Sequence, residues 1–251
     1  TTADSNSAVG YRALYSNTTG ASNTAMGDSA LRANTSASNN TAVGFSALTT
    51  NTTGTRNVAI GTSALDANTI ADKNIAIGVA SLTTNTTGQF NVAIGDEALS
   101  DNLAASNNTA VGHNSLKANT TGEANNALGS LALDANTTGG FNTGLGVHAL
   151  GGNTTASFNT AVGGGSLRAN TTGVSNNAIG YQALRNSSTA SSNIAIGQNA
   201  LVYNSSGGNN VAVGQNALFN TTTGNTNVAV GNNAMLTNTT GVDNTSVGYY
   251  A

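Results

Sequence analysis

Apolar and polar positions along the chain recur with a period of 17 residues. The block Asn57-Val58-Ala59-Ile60-Gly61 returns, with small changes, fifteen times; its glycine runs from Gly10 to Gly248 without insertion or deletion. A fixed period of this kind marks a solenoid, in which each repeat stacks on its neighbours. With the glycine as phase 0, phase −4 is always Asn, and phase −1 is always a medium apolar residue such as Val9, Met26, Ile60, Leu128 or Val247. Phase −2 is Ala except at Gly144 and Ser246, phase +3 is Ala or Ser, and phase +4 is Leu except at Met235. Phase +7 is mostly Asn, followed by two hydroxyl residues and Gly or Ala, as in Asn51-Thr52-Thr53-Gly54.

The run bounded by Asn and Gly predicts a short strand over phases −3 to −1. Alternation puts Ala(−2) and the glycine on one face, and phases −3 and −1 on the other. The larger residue at −1 predicts that its face is buried. The Ala/Gly face then predicts a close neighbour, chain or sheet; a thin core lined by Ala and Gly is the other account of it. A second short strand is expected over the Ala-Leu pair, as in Ala47-Leu48. The Asn-Thr-Thr-Gly segment reads as a turn, because Asn bonds its own backbone and Gly accepts positive φ. Asn23, Asn40, Asn57, Asn74 and Asn91, with Gly27, Gly44, Gly61, Gly78 and Gly95, are expected to form structural ladders, each rung ~4.8 Å from the next. So many Gly, Asn and Thr residues exclude a helix.

The predicted fold is all-β: a parallel β-solenoid, or β-roll, of about fifteen coils, a single repeat domain over residues 1–251 with no evident cap. At the usual strand spacing it would be ~70 Å long. From residue 17 to 122, turns ending in Gly alternate with turns ending in Ala, a 34-residue superperiod. Two later coils move the turn asparagine by one place, to Asn186 and Asn220. The chain starts at the turn phase and ends shortly after Gly248. It therefore reads as an excerpt of a longer shaft, or as a unit whose ends stack on other subunits.

Composition narrows the function classes. Charged residues are 7% of the chain, against a usual ~25%. Apolar residues held at fixed phases argue against disorder all the same. A net charge of −3 gives no electrostatic case for nucleic acid. No run of ~20 apolar residues predicts membrane insertion. Without cysteine no disulfide can form. Every charged residue falls at phases +1, +2, +5, +6, −6 or −5, which are therefore expected to face solvent.

Candidate chemistry is sparse. His113 and His148 lie about two coils apart without convergent partners, so no catalytic residue, metal site or cofactor is expected. Asp96, Glu97 and Asp101 form the densest acidic cluster and read as a solvated face. The Thr-Thr turns make two columns that would suit an ice- or carbohydrate-binding solenoid, but Ile70 and Leu103-Ala104 interrupt them. Asn17, Asn51, Asn85, Asn119, Asn136, Asn153, Asn170 and Asn238 lie in Asn-x-Ser/Thr triplets, as do Asn186, Asn204 and Asn220. They are candidates either for glycosylation along a turn edge or for a plain surface turn role. Tyr11, Phe45, Tyr181 and Tyr249 share phase +1, and Phe90, Phe141 and Phe158 share phase −5; they read as contacts between coils or chains.

The blocks Asn57–Gly61 and Asn193-Ile194-Ala195-Ile196-Gly197 resemble the head repeat of trimeric autotransporter adhesins. The longer unit Asn176-Asn177-Ala178-Ile179-Gly180-Tyr181-Gln182-Ala183-Leu184 is similar to repeats of long phage tail fibres. This resemblance implies a left-handed parallel β-roll, often a parallel homotrimer, at a cell or virion surface. The 17-residue coil is longer than the one in those heads. Pattern and resemblance together lead to the expectation of a non-enzymatic, extracellular structural or adhesive fibre. Its partners would be further copies of itself, as an oligomer or filament, and a host-surface receptor or glycan.

Overall fold

A computed structural model describes residues 3–251. Among these residues there are fifteen three-residue strands, all at phases −3 to −1, and no helix. Contacts group the chain into two compact units, Thr1–Ala124 and Asn125–Ala251. The first holds β1 (Ser7–Val9), β2 (Thr24–Met26), β3 (Thr41–Val43), β4 (Val58–Ile60), β5 (Ile75–Ile77), β6 (Val92–Ile94) and β7 (Thr109–Val111). The second holds β8 (Asn126–Leu128), β9 (Thr143–Leu145), β10 (Thr160–Val162), β11 (Asn177–Ile179), β12 (Ile194–Ile196), β13 (Val211–Val213), β14 (Val228–Val230) and β15 (Thr245–Val247). Within each unit, successive strands pair in parallel. Each residue lies opposite the one 17 positions on, as Ala42 lies opposite Ala59 and Ala178 opposite Ala195. The protein is a rigid, repetitive parallel β-solenoid.

The burial of the strand faces is the reverse of the expectation. Ala(−2) is the inside residue: Ala42, Ala59, Ala76 and Ala93 are wholly buried. The larger residue at −1 points out, with Ile60 38%, Met26 50% and Leu128 52% exposed. The reason is the width of the coil. Leu(+4) fills the interior from the opposite side, and Leu31, Leu48, Leu65, Leu82 and Leu99 are all fully buried. The space left in front of it takes a methyl group and little more. At Gly144, an added Cβ would stand 3.4 Å from Cδ1 of Leu133, in ordinary contact with that leucine. The small residues thus line a thin core, and the close neighbour of the glycine is the next coil. A Cβ on Gly61 would overlap the Gly78 carbonyl, and Gly61 takes φ +133°.

The expected second strand is absent. Phases +1 to +6 form continuous turns in which +2 and +4 hold positive φ, as at Ser63 (54°) and Leu65 (53°). The phase −5 residue, such as Arg56 (59°), does the same. Three non-glycine residues per coil therefore sit where L-residues lose about 1–2 kcal/mol each. Inter-coil hydrogen bonds compensate. Leu48 N–H donates to Ala64 O at 3.0 Å, and Ser63 N–H donates to Phe45 O at 2.9 Å. Amides at +2 donate to the coil behind and those at +4 and +6 to the coil ahead, while the amide at +3 closes the turn within its own coil, as Ala47 N–H does to Gly44 O. The backbone ladder thus continues through segments that are not strands.

Candidate interaction surface

Two buried asparagine columns hold the coils in register. In the first, Asn57 N–H donates to Oδ1 of Asn40 at 2.9 Å, and Oδ1 of Asn57 accepts Asn74 N–H at 2.9 Å. Its Nδ2 donates to Ala71 O at 2.8 Å. Asn23, Asn40, Asn74 and Asn91 repeat this arrangement. The second column is phase +7. Asn68 Nδ2 donates both to Ala71 O (3.1 Å) and to Oδ1 of Asn51 (2.8 Å). The Ala71 carbonyl therefore receives one amide from each column and ties them together. The superperiod shows here. Amides in Ala-ending turns donate along the column at 2.8–2.9 Å (Asn34, Asn68, Asn102), and those in Gly-ending turns at 3.1–3.4 Å (Asn51, Asn85, Asn119).

This second column corrects the reading of the turn asparagines as surface residues. Asn51, Asn85, Asn119, Asn136, Asn153 and Asn170 are completely buried, and Asn17 and Asn238 are half-buried. Each donates Nδ2 to the carbonyl three residues on. In the folded coil a glycan on that nitrogen has no room at the six buried positions. Of the turn asparagines in such triplets Asn186 is the exposed one; Asn39, Asn107 and Asn244, which begin Asn-x-Ser/Thr triplets outside the turn phase, are exposed as well. The turn itself does not shift at Asn186 and Asn220: Ser187 and Thr221 take the buried phase instead. Thr221 Oγ1 donates to Asn238 O at 3.0 Å, whereas Ser187 Oγ and Asn170 Oδ1 are left without partners.

The turn threonines form two columns of unequal exposure, the first half-buried to exposed and the second exposed. The first hydroxyl of each pair donates along the axis, as Thr52 Oγ1 does to Thr69 O at 3.0 Å. The second, such as Thr53 or Thr87, is exposed, and Ile70 and Ala104 break its column. The acidic cluster gathers round a cation of its own. Lys117 pairs with Glu97, which holds the Glu97 carboxyl below its ordinary value, and Asp96 and Asp101 add to the field at Lys117. Burial pushes Asp66 and Asp134 above the ordinary carboxylate value. Among the described residues no group of three His, Cys, Asp or Glu could hold a metal ion, and no helix is long and apolar enough to cross a membrane.

What remains is the outer face of the strands. Phase −1 is apolar in all fifteen coils, and every one of these side chains is half-buried or exposed. Phase −3 beside it carries Thr, Val, Ile, Asn or Ser and no charge. In each unit this makes two parallel columns on a regular sheet, with an uncharged and largely apolar surface. Soluble monomers rarely leave so continuous an apolar surface in water. No protein-family model matches the chain, and no match was found among the curated proteins.

Proposed function

We propose that this chain is the shaft of an extracellular fibre, on a cell or virion surface, and that it self-associates through the outer face of its strands. The observation that carries this reading is the apolar residue at −1 in every coil, which faces outward although the interior is full. The occupant that fits is a second copy. The face carries no charge whose desolvation would oppose contact. Two copies also share the same 17-residue period, so their rows match at every coil. Contact of this kind recurs along the whole face, as in the isologous or cyclic assemblies of homo-oligomers. The resemblance to adhesin heads and tail fibres agrees with it, and repeated weak contacts displayed along a stiff shaft would give adhesion through avidity.

The test replaces outward residues without touching the core. Ile60→Lys with Ile94→Lys places two charges on the face. Sedimentation is expected to show the native chain as an oligomer and the double variant as a monomer with unchanged circular dichroism, whose melting no longer depends on protein concentration. A monomeric native chain, or a double variant that associates as before, refutes the reading.

A further inference from the structure

The coils carry side chains at phases +1 and +2 everywhere except one, where Gly164 and Gly165 stand instead. The backbone does not require either glycine. A Cβ on Gly164 would meet only the Tyr181 ring, at an ordinary 3.6 Å. Gly165 has φ +66°, but the other coils hold Arg, Ser, Gln or Asn at comparable φ, and its nearest neighbour would be Gln182 Cγ at 3.8 Å. The glycines therefore make space. The space is a cavity of about 210 Å³. It lies wholly within the second unit. This is below the ~300–1,000 Å³ of sites for drug-sized ligands, a scale suited to one ring.

The walls of the notch are chemically consistent. Arg168 and Arg185 occupy the same phase one coil apart and both line it, so their stems start ~4.8 Å from each other. Neither forms an ion pair among the described residues. Among the described residues Asp134, near Arg168 and His148, is the one carboxylate whose field reaches the notch, and the two guanidinium groups outnumber it. Guanidinium groups bind carboxylates in a planar, two-bond geometry. Tyr181 borders the gap with an exposed ring whose hydroxyl accepts from Nε2 of Gln182 at 3.0 Å. An aromatic face beside polar tips suits an amphipathic ring, and His148 and Gln182 supply groups that bond hydroxyls. We propose that this notch binds a carboxylate-bearing sugar: the carboxylate on Arg168 and Arg185, the ring against Tyr181 in the space left by Gly164 and Gly165. The notch lies off the outer strand face, so this inference stands or falls separately from self-association.

Saturation-transfer NMR on the full chain reads the ligand and works whatever the oligomeric state. The probes are glucuronate, glucose and acetate at equal millimolar concentration. Glucuronate ring protons are expected to receive saturation, with glucose and acetate much weaker. Gly164→Tyr fills the notch with a residue that phase +1 already carries at Tyr11 and Tyr181, and should abolish the signal. Arg185→Ser, a residue found at the same phase as Ser100, should weaken binding about tenfold, the scale of one charge-assisted bond. Equal signals from glucose or from acetate would overturn the proposal, as would undiminished glucuronate binding in Arg185→Ser whose circular dichroism is native.

Discussion

The glycine at phase 0 and the leucine at phase +4 both sit at positive φ, for opposite reasons. At Gly61 the side chain is excluded by the next coil, because a Cβ would overlap the Gly78 carbonyl, a backbone atom that cannot turn aside. At Leu65 the side chain is the point: it is fully buried at φ 53°. Burying a leucine is worth about 1.5–3 kcal/mol, enough to offset the roughly 1–2 kcal/mol of unfavourable backbone. Gly61→Ala is therefore expected to cost more than the ~1–3 kcal/mol of backbone strain, with amide exchange protection lost around Gly61 and Gly78. Gly165→Ala, at φ +66° with open space around it, should cost only the roughly 1–2 kcal/mol of left-handed backbone and leave protection in the neighbouring coil largely intact. Equal effects at the two glycines would show that φ alone, and not close approach, governs the phase-0 position.

At the level of elements, the three-residue strands are too short to stand alone, and the stacked coil is the unit. The asparagine columns bind each coil to the next through fully buried amides whose loss would strand a donor and an acceptor together, at about 1–3 kcal/mol each. Nature's own gap in the column shows the effect: Ser187 replaces Asn there, and Asn170 Oδ1 has no donor. Ser187→Asn should restore the bond to Asn170 and raise stability by about 1 kcal/mol, read as a higher melting temperature or slower exchange in that coil. A lower melting temperature would mean that the local turn has closed over the smaller residue. The strand positions were legible in the sequence, since Asn and Gly bracket an apolar run at every repeat. The turn over Ala-Leu was not, because leucine ordinarily avoids positive φ, and no local signal separates it from a short strand. Nor was the buried role of Asn51 or Asn85 legible: an Asn-Thr-Thr-Gly turn reads alike whether its amide faces water or the next coil.

At the scale of the whole molecule, alternation fixed which residues share a face but not which face is inside. Size suggested that Ile60 was buried and Ala59 was not. The narrow interior, already filled by Leu65, reversed that choice. The inversion moves the surface available for assembly from small residues to Val, Ile, Leu and Met. The notch at Gly164 and Gly165 was not read from the sequence, although theirs is the one coil without side chains at +1 and +2. Its meaning depended on Arg168, Arg185 and Tyr181 converging from neighbouring coils. Charges keep to the turn phases throughout, so the strand face remains neutral along each unit.

The chain has no cysteine, so single cysteines can report each face without background. The decisive measurement compares thiol labelling rates of Ala93→Cys at phase −2, Ile94→Cys at phase −1 and Thr87→Cys in the turn, in the native assembly and in the monomer produced by lysine substitution at Ile60 and at another outward strand position. The account predicts that position 87 labels fast in both, position 93 is protected in both, and position 94 is protected in the assembly but labels fast in the monomer. Fast labelling at 93 would contradict the buried Ala face. Equally fast labelling at 94 and 87 in the native protein would contradict the outer strand face as the surface of self-association.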